Sequence, residues 1–103
     1  MPHKDASVRR SCLRAGEARA RARNKEITDA ARNAPCMDCG GVFPVVCMDF
    51  DHVRGEKKRA VSNMVYNHAS EARLRSEIAK CDVVCSNCHR IRTLKRGQYR
   101  GRR

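Results

Sequence analysis

Two Cys-x-x-Cys pairs constrain this chain more than any other feature. The first pair is Cys36 and Cys39, the second is Cys85 and Cys88, and residues 40–84 lie between them. Two intervening residues allow both thiolates of a pair to reach one ion, and two such pairs complete a tetrahedral zinc site. Because four thiolates leave no coordination position open, the pattern predicts a structural zinc rather than a catalytic one.

A metal site also suits the size of the chain, which has 103 residues and only 4% aromatic residues. A single domain of this length buries a modest core, and structural zinc can add on the order of 10 kcal/mol of binding free energy coupled to folding. The alternatives are a redox dithiol, which needs only one such pair, or unrelated buried cysteines. The first residues lack the apolar core of a secretory signal, which favours a reducing cytoplasm where clustered cysteines bind metal.

The net charge of +12 is concentrated at the two ends of the chain. Residues 1–35 carry a net charge of +5, residues 36–88 are neutral, and residues 89–103 carry +7. Arginine predominates among the basic residues, and its planar guanidinium suits phosphate groups. The pattern favours binding of nucleic acid over charge that only maintains solubility. No apolar run approaches the ~20 residues of a membrane span, so no membrane partner is expected.

Residue propensities predict a mixed α and β chain. An Ala- and Arg-rich helix is expected over 7–33, ending before Pro35. A β-hairpin or extended pair is expected over 42–52, a helical turn near Val61, a helix capped by Ser70, and a short strand at Val83 and Val84. A last helix is expected over 86–96, with Gly97 at its C-terminal cap.

A second cluster of chemically active side chains lies beside the cysteine pairs. Asp49, Asp51 and His52 stand at the end of the expected strand, and His89 directly follows Cys88. A neutral imidazole can take a proton from water near pH 7, and a divalent ion held by carboxylate and imidazole can stabilise a leaving oxygen. Taken singly, an Asp-His pair is more often a surface or turn feature, and His89 could instead be an exposed residue or an alternative zinc ligand. Together these groups suit phosphodiester hydrolysis.

Three segments in this order resemble the zinc-stapled HNH endonucleases of phages and bacteria. They are Cys36-x-x-Cys39, Met48-Asp49-Phe50-Asp51-His52-Val53 and Val83-Val84-Cys85-Ser86-Asn87-Cys88-His89-Arg90. The resemblance covers about residues 35–96 and implies an α+β ββα-metal (His-Me finger) domain. A basic helical arm (1–34) would precede this domain and a flexible basic tail (97–103) would follow it.

The resemblance also implies roles for the histidines and for Asp51. His52 would be the general base, and Asp51 and His89 would hold a catalytic divalent ion, with Mg²⁺ or Mn²⁺ preferred. The chain departs from the family pattern at two positions. Lys80 stands where a middle Asn is common, a role that Asn87 or Asn63 could supply, and Thr93 stands where some members have another His.

The sequence therefore predicts a cytoplasmic, metal-dependent DNA endonuclease of a bacterial or phage-infected cell, which nicks or cuts duplex DNA and has no small-molecule substrate. It would act as a monomer or a dimer. The alternative is a zinc-containing module that binds nucleic acid without cleaving it. The residues expected to contact DNA are basic: Lys57, Lys58, Arg59, Arg90, Arg92, Lys95 and Arg96.

Overall fold

A computed structural model describes residues 6–97 of the chain and shows a small mixed α and β fold. The terminal residues, which include most of the expected flexible tail, lie outside this described range. The helices and strands follow the order α1 (Ala6–Arg32), β1 (Met48–His52), α2 (Val61–Tyr66), α3 (Glu71–Ile78), β2 (Cys81–Cys85) and α4 (Ser86–Lys95). Within the described residues, no helix combines the length and apolar character that crossing a membrane requires.

The sheet has two antiparallel strands, and they are not the strands of a local hairpin. β1 pairs with β2, so that Met48 lies opposite Cys85 and His52 lies opposite Cys81. The prediction of a β-hairpin or extended pair over 42–52 was therefore wrong. Pro44 precedes a single 3-10 turn at Val45–Cys47, in which the Cys47 N–H donates to the Pro44 carbonyl at 2.8 Å. This turn bends the chain into β1, and a distant segment supplies the strand partner.

The helices begin and end close to the positions that the sequence predicted. The Ser70 hydroxyl accepts a hydrogen bond from the Arg73 N–H at 3.3 Å, which caps α3. Gly97 follows α4 with a φ of 72°, a left-handed conformation that glycine adopts without strain. Local capping chemistry thus placed these helix ends correctly.

The second half of α1 packs on the domain, whereas its first half is largely exposed. Asn24 is completely buried, and its side-chain amide donates to the Ala69 carbonyl at 2.9 Å. Ile27 packs against a buried cluster formed by α2, α3 and β2. This packing could not be predicted from the sequence, because a polar anchor such as Asn24 can be identified only once its distant partner is known.

Two buried clusters form the core. The first surrounds the cysteine pairs and contains Cys36, Met48, Val84 and Cys85. The second contains Val61, Met64, Leu74 and Cys81, with Phe50 packed against it. β1 and β2 contribute to both clusters, so the sheet connects the cysteine pairs to the helices.

Leu74 is completely buried in the second cluster. We expect Leu74→Ala to lower the free energy of unfolding by about 3 kcal/mol, because it removes buried methyl groups and leaves a cavity. Urea unfolding of the zinc-loaded protein, followed by circular dichroism, measures the change. Leu13→Ala is the matched control, since Leu13 is 66% exposed on α1 and should change stability by less than about 0.5 kcal/mol. Equal effects of the two changes would contradict this assignment of the core.

Candidate metal centre and histidine cleft

The four cysteines of the two pairs come together at one point. Their Sγ atoms all lie within 4.8 Å of one another. Tetrahedral zinc with bonds of about 2.3 Å would separate its sulfur ligands by roughly 3.8 Å, so these positions require only a small contraction around an ion. The cluster is thus positioned to hold a structural metal such as zinc, as the spacing predicted.

Backbone N–H groups donate hydrogen bonds to sulfur in the cluster and so stabilise a thiolate there. The Cys36 sulfur accepts hydrogen bonds from the N–H of Cys39 at 3.5 Å and the N–H of Cys85 at 3.3 Å. Burial opposes ionisation of Cys36, but these backbone donors outweigh it and lower the pKa of its thiol to about 6. Hydrogen bonding to Cys85, together with burial and Cys36, raises the pKa of the Cys88 thiol to about 12. The Cys88 thiol therefore ionises near neutral pH only when a bound cation offsets this cost.

His52 ends β1 and contacts a buried carboxylate on α3. Its Nε2 lies 2.9 Å from Oε2 of Glu77, whose side chain is only 3% exposed. The same carboxylate accepts hydrogen bonds from the Lys80 ammonium at 3.0 Å and the Lys58 backbone N–H at 3.1 Å. Burial opposes ionisation of Glu77, yet these donors and His52 lower its pKa to about 2. Glu77 therefore faces His52 as a carboxylate at neutral pH.

His89 lies in the first turn of α4, between two carboxylates of β1. Its Nδ1 is 3.0 Å from Oδ2 of Asp49, and its Nε2 is 3.7 Å from Oδ1 of Asp51. The helix starts directly after β2, with the Cys85 sulfur accepting a hydrogen bond from the Cys88 N–H at 3.4 Å. The cysteine cluster thus fixes the turn that carries His89.

Asp51 is buried and engaged by two arginines of α4. Its oxygens accept hydrogen bonds from Arg96 at 2.7 and 2.8 Å and from Arg92 at 2.8 Å. Arg96 lowers the pKa of Asp51 most strongly, and although burial opposes the shift, Arg92 adds to it, so the pKa falls to about 2. Asp51 is a carboxylate at neutral pH whose two oxygens are already paired.

His52 and His89 line one cleft of about 330 Å³. Asp49 lines the same cleft, whereas Asp51 does not belong to its lining. Two cationic side chains, Arg32 from α1 and Lys57 from the loop after β1, complete its polar wall. Among the described residues, the Nε of Arg32 is the one buried side-chain nitrogen or oxygen without a hydrogen-bond partner.

The basic residues predicted to contact DNA divide into two groups. Lys57, Lys58, Arg59, Arg90 and Lys95 are exposed. Arg92 instead pairs with Asp38, Asp51 and Asp82, and Arg96 pairs with Asp51. The guanidinium groups of Arg92 and Arg96 are therefore engaged by carboxylates of the protein, although Arg96 is itself exposed, and the sequence did not anticipate this pairing.

The positions that depart from the HNH pattern also have defined contacts. The Lys80 ammonium donates to the Glu56 carbonyl at 2.7 Å, and the Lys80 carbonyl accepts hydrogen bonds from the N–H groups of Val53 and Arg54. The Thr93 hydroxyl donates to the His89 carbonyl at 3.0 Å. Lys80 thus tethers the loop after β1, and Thr93 is bonded to its own helix.

Three residues of this site were not assigned roles from the sequence. Glu77 lies three positions after the buried Leu74 on α3. A single acidic residue on the apolar face of a helix was the one sequence pattern that could have identified Glu77 as part of the site. Arg32 gave no such pattern, because only the packing of α1 against β1 brings it to the cleft, and Asp49 belonged to the predicted cluster but received no role of its own. Comparison of the chain with protein-family models, curated proteins and solved structures finds no match.

Proposed function

We propose that this protein is a metal-dependent endonuclease that hydrolyses phosphodiester bonds of duplex DNA, in the manner of the HNH enzymes that its sequence resembles. The observation that supports this most strongly is that His52 and His89 line the same cleft. An imidazole available as a base and a second imidazole beside a carboxylate are the groups that the reaction needs. The order β1, β2, α4 also suits the ββα arrangement that the resemblance implies.

His52 is the general base in this proposal. It removes a proton from a water molecule, and the water oxygen forms a new bond to phosphorus as the bond to the 3′ oxygen breaks. The departing oxygen takes a proton from solvent, so the products are a 5′ phosphate and a 3′ hydroxyl. A positioned base of this kind contributes about 10²- to 10⁴-fold to the rate.

The donor set beside His52 suits a hard divalent ion such as Mg²⁺ or Mn²⁺. Asp51 and His89 would hold it, and Asp49 adds a carboxylate that lines the cleft. A divalent ion there would stabilise negative charge on the leaving oxygen. Asp51 would have to exchange some of its contacts with Arg92 and Arg96 for the ion.

The charge of the cleft supports a phosphate-containing substrate. Arg32 and Lys57 line its wall, and the Arg32 guanidinium also pairs with Asp29 at 2.8 Å. Guanidinium and ammonium groups bind phosphate oxygens and dominate the affinity of nucleic-acid-binding proteins. The exposed first half of α1 adds further arginines that could contact the backbone of the same duplex.

Plasmid nicking tests the proposal directly. Zinc-loaded protein is incubated with supercoiled plasmid in Mg²⁺, in Mn²⁺, or without added divalent ion. We expect conversion to the open-circular form only when one of these ions is present. If the plasmid stays supercoiled under every condition while DNA binding persists, the nuclease proposal fails.

Lys57 and Lys58 offer a matched pair for testing whether bound DNA lies over the histidine cleft. Lys57 lines the histidine cleft, whereas Lys58 lies outside it and its ammonium is 3.6 Å from the Glu56 carboxylate. We expect Lys57→Gln to weaken DNA binding and to reduce the slope of log K against log salt by about 0.9, which corresponds to one lost phosphate contact. Lys58→Gln should change the slope less. Fluorescence anisotropy titrations at several salt concentrations measure the affinity and its salt dependence for both variants. A larger loss of affinity for Lys58→Gln than for Lys57→Gln would contradict the proposal that DNA lies over the cleft.

The second candidate is a module that binds nucleic acid without cleaving it. Saturation of Asp51 by two guanidinium groups favours it, because such pairing competes with a catalytic cation. Both candidates require the zinc cluster and salt-sensitive DNA binding. Only the nuclease requires nicking that depends on a divalent ion and on His52.

A further inference from the structure

Glu77 is a buried acid whose position is not explained by the folding of α3 alone. Only 2% of the residue is exposed, although it lies on a helix whose other charged side chains reach solvent. A carboxylate rarely occupies such a position unless it is paired on several sides. Its partners therefore indicate what it does.

The contacts of Glu77 hold its carboxylate in one orientation. Oε1 accepts from the Lys80 ammonium at 3.0 Å, and Oε2 accepts from the Lys58 N–H at 3.1 Å. Lys80 is itself held by the Glu56 carbonyl at 2.7 Å. One donor to each oxygen thus fixes the carboxylate, and its Oε2 meets Nε2 of His52 at 2.9 Å.

This contact decides which nitrogen of His52 carries the proton. A carboxylate can only accept hydrogen bonds, so the neutral ring must donate from Nε2. The lone pair then lies on Nδ1, and His52 borders the cleft. The partner of one ring nitrogen generally sets the tautomer and orientation of an imidazole in this way.

We propose that Glu77 is the positioning residue of the site, holding His52 as the Nε2–H tautomer so that Nδ1 accepts the proton of the attacking water. This inference rests on the proposed nuclease function. When His52 takes up that proton it becomes an imidazolium, and the fixed carboxylate stabilises the new charge. Glu77 itself touches neither substrate nor the reacting atoms.

Kinetics of the Glu77→Gln variant test the role in catalysis. The amide keeps the shape of the side chain but can donate as well as accept, so it no longer imposes one tautomer. We expect kcat for plasmid nicking to fall at least about 10-fold, with KM within about twofold of the wild-type value. Glu71→Gln is the control, because Glu71 lies on the same helix and its carboxylate pairs with exposed Arg75 rather than with the cleft. Unchanged kcat in Glu77→Gln would overturn the proposal.

Nitrogen NMR of the wild-type protein tests the same inference without relying on a variant. In the zinc-loaded protein at pH 8.5, where an ordinary imidazole is neutral, the ¹⁵N shifts of His52 should report the Nε2–H tautomer. A mixture should replace it in Glu77→Gln but not in Glu71→Gln. A predominantly Nδ1–H ring in the wild-type protein would overturn the assignment. If the plasmid is never nicked but the Nε2–H tautomer is found, the nuclease proposal and the catalytic role of Glu77 fail, while its orientation of His52 stands.

Discussion

If Cys36, Cys39, Cys85 and Cys88 hold a structural zinc ion, removing it with a chelator is expected to unfold the sheet and the helices packed on it. The cluster joins the segment before β1 to β2 and α4, and Cys36 and Cys85 are themselves part of a buried core. Structural zinc binds with roughly 10–16 kcal/mol. This is comparable to the ~5–15 kcal/mol by which small domains are stable, so we expect the metal-free protein to lie mostly on the unfolded side.

Far-UV circular dichroism and amide proton dispersion measure this transition during titration with a zinc chelator. We expect the cooperative thermal transition to disappear and the amide shifts of β1 and β2 to collapse, with recovery when zinc is restored. Cys85→Ser should resemble the chelated protein. Cys47→Ser is the control, because Cys47 is only partly buried and lies outside the cluster. A metal-free protein that keeps its thermal transition would show that the cluster is dispensable for folding.

His52→Ala is expected to lower the rate of plasmid nicking by about 10²- to 10⁴-fold while leaving DNA binding nearly unchanged. Under the proposed mechanism the imidazole accepts a proton only as the water attacks, so its loss affects the transition state more than the bound substrate. Single-turnover nicking gives the rate, and fluorescence anisotropy with a duplex gives the affinity. Added imidazole should restore part of the rate, because a free base can occupy the space that the side chain leaves.

His68→Ala provides the matched control for this experiment. His68 is also partly exposed, but it contacts Glu17 and Arg21 on α1 and lies outside the cleft. The variant should nick at the wild-type rate. If His52→Ala retains activity within about threefold of the wild-type protein, His52 is not the general base, even if the protein proves to be a nuclease.

Local chemistry explains why much of the fold could be predicted. Ser70 and Gly97 placed the ends of α3 and α4, because capping depends on residues a few positions apart. The cysteine spacing predicted a common metal site for the same reason, since each pair forms one tight turn. The strand pairing could not be predicted, because β1 and β2 are distant in the chain and the Val- and Phe-rich stretch over 42–52 suggested a local partner.

The candidate site shows the same difference between what local sequence patterns predict and what only long-range packing decides. His52 and His89 were identified from their neighbours in the sequence, and the structure places both in one cleft. It also shows that Asp51 is enclosed by Arg92 and Arg96, so the carboxylate that lines the cleft is Asp49. These pairings depend on how α4 lies across β1, which no local pattern encodes.

The sequence by itself therefore predicted the cysteine cluster that could hold a metal, the helix ends and the two histidines of the cleft, because each depends on residues close together in the chain. The tertiary structure alone decided which acid meets which base. Glu77 faces His52, Asp49 faces His89, and Arg96 faces Asp51, through contacts between elements far apart in sequence. A buried charge needs its partner at hydrogen-bond distance, and only the folded chain sets that distance.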